Sequence, residues 1–216
     1  MNGLITPADL LTAYRRGWFP MAESETSPDF KFYEPRMRGL IPIGKLHISR
    51  SLARSIRKND YVARVESDFL SIMGRCGQRR EGSWINAPLL ELYSKLNEIG
   101  HAEALGVYDG ETRLGGIYGV VIGGAFFGES MFSDATNGSK LALVAVMDRL
   151  VAGGFMLFDT QFLTDHLASM GGVEIPQPDY MKVLPHGLEK KANFFALPRE
   201  TALRDALVRL TPEPRS

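Results

Sequence analysis

Cysteine is nearly absent from this 216-residue chain. Cys76 stands alone, which excludes an internal disulfide and any metal site built on several thiolates. A net charge is missing as well, because 25 basic and 25 acidic side chains balance. No global field draws the chain toward nucleic acid, so such binding would need a local patch. The four histidines, His47, His101, His166 and His186, are scattered and lack the close spacing of metal ligands. No apolar run reaches the ~18 residues that a membrane-crossing helix needs. The opening "MNGLITPADLL" has neither the basic stretch nor the long apolar core of a secretory leader. A cytoplasmic protein without metal or membrane association is expected. The length and the 44% hydrophobic content fit one large domain, or one domain with a small appendage.

Helix punctuation is what the chain does have. "TPADLLTAYRRGW" predicts a helix with Thr6 as cap, Pro7 at its first position and Gly17 as stop. The proline-rich "FPMAESETSPDFKFYEPRMRGLIPIG" predicts loop with two short strands, so residues 1–45 are assigned to a small N-terminal domain and 46–216 to a larger one. "HISRSLARSIRK" predicts a helix that gathers Arg50, Arg54, Arg57 and Lys58 on one face. Such a stripe is either a solvated helix face or a phosphate-binding one. "YVARVESDF" predicts a strand, followed by a helix to Cys76 and a polar turn over "GQRREGSW". A helix capped by Asn86 and ended by Gly100 comes next. Two or three antiparallel strands follow over "AEALGVYDGETRLGGIYGVVIGGAFFGESMFS", with a turn at "YDGET". A helix from a Ser139 cap to Gly153, a buried strand "FMLFDTQFL" and a short helix "TDHLASMGG" complete the pattern. The expected class is α+β, with a mostly antiparallel sheet flanked by helices.

Two polar intrusions into apolar strands carry the chemistry. In "LFDTQFL", strand alternation puts Asp159 and Gln161 on one face and Thr160 with Phe158 and Phe162 on the other. Buried polar groups need partners, so the plain reading is a structural hydrogen bond. The second intrusion, Glu129 and Ser130 in "GGAFFGESMF", sits beside Gly123, Gly124 and Gly128, which permit close approach of a backbone or a ligand. An amide with one carboxylate beside it and another nearby makes an acyl-transfer site. Trp84, in a turn before a helix cap, is either a lid on the core or a stacking platform worth about 1–3 kcal/mol per base. Tyr93 lies one helical face further on.

"GSWINAP", "GGIYGVVIGGAFFGESMFS", "SKLALV" and "DTQFLTDHLASMGGVEIP", preceded by "LLTAYRRGWFPM" and "LHISRS", resemble the bacterial leucyl/phenylalanyl-tRNA-protein transferases, in the right order over nearly the whole chain. The resemblance implies a small N-terminal domain before a domain like the GCN5-related N-acetyltransferases. It implies transfer of Leu, Phe or less readily Met from aminoacyl-tRNA to the α-amine of a protein beginning with Arg or Lys, which marks that protein for proteolysis. It implies a monomer that uses no cofactor, since the ester is already activated. Asp159 and Gln161 then match the catalytic pair. Trp84 and Tyr93 match residues around the terminal adenosine and acyl group, and Glu129, beside Ser130, matches the active-site acid. Ile117 and Phe126 match the side-chain pocket, while Arg50, Arg54, Arg57 and Lys58 fall where the tRNA acceptor stem is met.

The pattern departs from the family at Phe32 and Tyr33, which stand in place of a tryptophan pair, and at Glu103, Gly106, Tyr108 and "NGSK". Glutamine is a very weak base, so Gln161 is expected to orient the amine while Asp159 fixes the amide. Glu129 is expected to hold the adenosine's ribose or to attract the cationic acceptor. Asp159 and Gln161 are both expected to face a wet site, so that removing either leaves the fold intact. Two alternatives stand beside this reading: an acyl-CoA-dependent N-acetyltransferase, for which "SDATNGSK" lacks the glycine-rich pyrophosphate turn, and a tRNA-binding module without catalysis.

Overall fold

The computed structural model describes residues 5–78 and 82–211. The centre of the expected polar turn, residues 79–81, lies outside the described residues.

Helix α1 (Pro7–Arg15) opens as its sequence dictates. The Thr6 hydroxyl accepts from Asp9 N, and the Asp9 carboxylate accepts from Thr6 N at 2.9 Å, a reciprocal cap. Strands β1 (Phe19–Met21) and β2 (Lys31–Tyr33) form a separate two-stranded ribbon. Strand β3 (Met37–Leu40), helix α2 (Arg50–Lys58), strand β4 (Tyr61–Val65) and helices α3 (Phe69–Gly77) and α4 (Ala87–Glu98) follow. Then come three long antiparallel strands, β5 (Ala102–Asp109), β6 (Thr112–Ile122) and β7 (Ala125–Ser133). Helix α5 (Gly138–Ala152) crosses to β8 (Leu157–Gln161), and α6 (Asp165–Ser169), β9 (Val173–Pro176), α7 (Gln177–Glu189), β10 (Glu200–Ala202) and α8 (Leu203–Leu210) finish the chain.

The eight-stranded sheet runs β10-β4-β5-β6-β7-β8-β3-β9. Its neighbours are antiparallel except β7 and β8, which are parallel and therefore need the α5 crossover between them. The class is α+β, as expected. Helices α2, α5 and α8 cover one face with a core that includes Leu52, Ile56, Val107, Leu143 and Leu207. Helices α1, α3, α4 and α7 cover the other around Leu10, Ile72, Leu89, Val120 and Leu184. The segment before residue 45 is not self-contained: β3 pairs with β8 and β9 inside the large sheet, and α1 shares the second core.

Two local expectations are corrected. The proline-rich stretch yields three strands rather than two, because β3 is templated by β8 and β9 and not by its own sequence. Helix α5 starts at Gly138, one residue before the expected cap at Ser139. Its cap is Asn137 in a left-handed turn (φ 67°), which Asn tolerates better than most residues. At Gly123 the expected close approach is that of a backbone: a Cβ there would lie 2.0 Å from the Leu188 carbonyl at the end of α7, and one on Gly124 would lie 2.7 Å from Lys190 Cβ.

Candidate active site

A cavity of about 470 Å³ opens at the junction of the ribbon and the sheet. Its walls are apolar: Phe19, Pro20 and Met21 of β1, Trp84, Ile117 of β6, Met131 of β7, Phe158 of β8, Phe162, and Leu167 of α6. The polar lining comes from Glu129, Ser130, Thr160, Gln161, Thr164 and His166.

Glu129 reaches the cavity through a break in strand register. Tyr118 of β6 pairs with Ser130, but the next residue, Gly119, pairs with Gly128, so Glu129 has no partner across the ladder. It is the extra residue of a β-bulge, a device that re-aims a side chain. Both carboxylate oxygens are held by neutral donors. The Tyr93 hydroxyl donates to Oε2 at 2.9 Å, and the Gln161 amide nitrogen donates to Oε1 at 3.0 Å. Tyr93 is bonded in turn to the hydroxyl of Tyr14, which arrives from α1. Burial pushes the Glu129 carboxyl up to about 7. The Tyr14 and Tyr93 hydroxyls pull it back, Asp159 raises it and Arg38 lowers it.

The end of β8 does not alternate. Gln161 has φ 58°, and Phe162 N donates back to the Thr160 carbonyl at 2.7 Å, closing a tight turn. This swings Gln161 toward the cavity beside Phe158 and Thr160, whereas Asp159 points away from it, so the expected shared face of Asp159 and Gln161 is corrected. The turn demands glycine opposite: a Cβ on Gly39 of β3 would sit 2.6 Å from the Phe162 backbone.

Asp159 is fully buried and caged. Arg38 of β3, also fully buried, donates from Nε to Oδ1 at 2.9 Å and from Nη2 to Oδ2 at 2.6 Å. The Tyr180 hydroxyl donates to Oδ2 at 2.6 Å. Asp159 Oδ1 accepts from the Gln161 backbone N–H at 2.8 Å. The Arg38 guanidinium lies between the Phe19 and Tyr180 rings, 5.0 and 4.5 Å from their centroids, and reaches the Gly17 carbonyl. Two further expectations are corrected here. Asp159 fixes the backbone of Gln161 while Glu129 fixes its amide, and Asp159 faces no wet site, so its removal strands a buried cation.

Of the other expected site residues, Trp84, Ile117 and Ser130 line the cavity. Tyr93 lies buried behind Glu129 and touches the cavity only through it. Phe126 is buried off the cavity, with its ring on Phe158 at 5.3 Å and on Phe194 at 5.9 Å, so it backs the wall without lining it. Arg50, Arg54, Arg57 and Lys58 are exposed on α2, opposite the buried Leu52, Ala53 and Ile56. Among the described residues none of these four forms an ion pair. The loop leading to α2 is tied to α6 by His47 N–H to the Met170 carbonyl, and α6 carries His166 and Leu167 into the cavity wall. Tyr14, Arg38, Tyr180 and His166 escaped the sequence reading. A lone arginine inside the short apolar strand "MRGL" and a tyrosine on the buried face of α1 were the available signals.

The profile of the leucyl/phenylalanyl-tRNA protein transferase family matches residues 40–185, and that of the family's N-terminal domain matches residues 3–36. A leucyl/phenylalanyl-tRNA–protein transferase of Cereibacter sphaeroides is 52% identical over 190 residues, 88% of each chain. One from Afipia carboxidovorans is 45% identical over 205 residues, 94% of this chain and 90% of its own. Among solved structures, FemX superposes with a TM-score of 0.51 at 13% identity, covering 82% of this chain and 71% of FemX, a likeness of fold alone. On the family profiles and these relatives, the chain belongs to the leucyl/phenylalanyl-tRNA protein transferase family.

Proposed function

We propose that the cavity receives the aminoacyl end of a tRNA charged with leucine, phenylalanine or methionine, and that the enzyme passes that residue to the α-amine of a protein beginning with arginine or lysine. The product then carries an N-terminal residue that marks it for proteolysis in the cytoplasm. The observation that carries this reading is the pairing of Glu129 with Gln161 at the polar side of an otherwise apolar cavity. An uncharged side chain gains by entering such walls, whereas a charged one loses its hydration.

The reaction needs no activation step, because the ester is the energy source. The amine nitrogen bonds to the ester carbonyl carbon, the bond to the ribose oxygen breaks, and the tRNA leaves with a free hydroxyl. The protein must hold both reactants together, relieve the amine of its proton and steady the developing oxyanion. Glu129 occupies the amide nitrogen of Gln161. The amide oxygen is therefore the group that accepts from the incoming amine and orients it. Asp159 acts as a positioning residue through the turn at Gln161. Trp84 offers its ring to the terminal adenine, and the α2 stripe meets the acceptor-stem phosphates. We also propose an N-acetyltransferase-like architecture for the larger domain, a reading supported by the mixed sheet with helices on both faces.

Incubating the purified protein with labelled Leu-tRNA and an Arg-terminated protein tests this reading, with transfer of label to the acceptor as the expected result. Retained tRNA binding without transfer would leave a binding module. Acetylation of the same acceptor from acetyl-CoA in place of leucylation would make it an acetyltransferase.

A further inference from the structure

We propose that Glu129 is the proton acceptor for the incoming amine, and that Tyr14 of the N-terminal helix is a positioning residue that tunes it through Tyr93. The inference rests on the proposed function and assigns a chemical role within it.

A general base needs a lone pair in the reaction space, a fixed direction and a basicity near working pH. Gln161 supplies direction but almost no basicity. Asp159 is an acid, yet its oxygens are taken by Arg38, Tyr180 and the Gln161 backbone, and it lies outside the cavity. Glu129 alone among the carboxylates of the described residues lines the cavity. The bulge aims it there, and its two anchors leave further lone pairs on each oxygen.

The groups around it divide by element. Tyr14 (α1) and Tyr93 (α4) are both held well above the ordinary tyrosine range, first by burial and then by the charge of Glu129, so both stay protonated and donate. Tyr118 (β6) packs edge-on against Tyr93. Arg38 (β3) and Asp159 (β8) act at longer range with opposite signs. His166 (α6) shares the cavity, and burial followed by the charge of Lys140 lowers its pKa, so it is neutral at pH 7 and adds no cation beside Glu129. No cation touches Glu129 among the described residues. Its basicity is set by burial and tempered by the two hydroxyls.

The acceptor ammonium gives one proton to Glu129, and the neutral amine attacks the ester carbonyl. As the C–O bond breaks, Glu129 returns that proton to the ribose oxygen and takes the second from the nitrogen of the new amide. It then releases this proton to water.

The test is the pH dependence of kcat/KM for the full chain with Leu-tRNA, in the wild type and in Glu129→Gln, Tyr93→Phe and Tyr14→Phe, with melting curves for each. The wild type should lose activity as pH falls through about 7. Glu129→Gln should transfer about 10²–10⁴-fold more slowly and lose that acidic limb. Each Tyr→Phe change removes stabilisation of the carboxylate, so the limb should move to higher pH in both variants. Should Glu129→Gln keep transfer within about threefold, or both Tyr→Phe variants leave the limb in place, the inference is overturned. An unmoved limb would belong to the acceptor's own α-amine, which titrates near 7.7–8.0. Absence of transfer in the wild type would instead sink the proposed function, so the two failures are distinct.

Discussion

Two carboxylates stand within two strands of each other, and their surroundings differ in kind. Asp159 lies beneath the sheet end in a cage with a formal cation, a phenol and a backbone N–H. Glu129 lies at the cavity wall, held by a phenol and an amide, with no cation beside it among the described residues. A buried acid whose oxygens are taken by arginine, a phenol and a backbone N–H serves geometry. A half-buried acid held by neutral donors is pushed up to about 7, where it is poised to exchange a proton. Sequence places both acids among aromatics and cannot separate them. Their neighbours do.

The largest expected effect comes from breaking the cage. Arg38→Met should leave Asp159 buried and unpaired, at about 3–5 kcal/mol. For a chain of this size that is roughly 6–20 °C in melting temperature, read by calorimetry. Replacing Asp159 by Leu as well should recover much of the loss, because an apolar pair of similar volume is tolerated where a lone charge is not. No such recovery would show that the ion pair does more than fill the site.

Removing Arg50, Arg54, Arg57 and Lys58 touches neither acid. Measured tRNA affinity should fall, and the slope of log K against log salt should flatten by about one for each phosphate that is no longer neutralised. Transfer from a minimal aminoacyl-adenosine should stay unchanged, whereas equal damage with both donors would put the stripe in the chemistry.

Gln161→Ala should cost less than the ~10²-fold of a missing proton acceptor, since the role proposed for it is orientation. Its melting temperature should hold, because the side chain borders the cavity rather than the core.

The smallest effect concerns stability against pH. Glu129 and Glu103 both rise to about 7 in the folded chain, chiefly through burial. The folded state therefore binds more protons than the unfolded one between about 4.5 and 7. Stability should fall as pH climbs through that window and level off above it. Glu129→Gln and Glu103→Gln should each flatten the slope, as urea midpoints at several pH values will show.

Local chemistry was legible in the sequence and long-range chemistry was not. The caps at Thr6 and Asn86 and the long strands β5 to β7 follow from neighbours within a few residues, and they stand where the sequence put them. Alternation failed at Gln161, because period two presumes extended backbone and its φ is 58°. It failed again at Glu129, where one unpaired residue shifts the register. Arg38 lies 121 residues from Asp159, and Tyr14 lies 79 from Tyr93, separations that no spacing rule bridges. The resemblance named Asp159 and Glu129 as site residues. Only the packed fold shows that one is held by charge and the other by neutral donors.

The division between the two acids is tested most directly by single-turnover transfer from Leu-tRNA, expressed per folded molecule, in Glu129→Gln beside Asp159→Asn. Glu129→Gln should melt close to the wild type and lose about 10²–10⁴-fold in transfer. Asp159→Asn should melt lower, yet its folded fraction should transfer within about tenfold of the wild type. The reverse outcome, with transfer abolished in folded Asp159→Asn and kept in Glu129→Gln, would contradict the account.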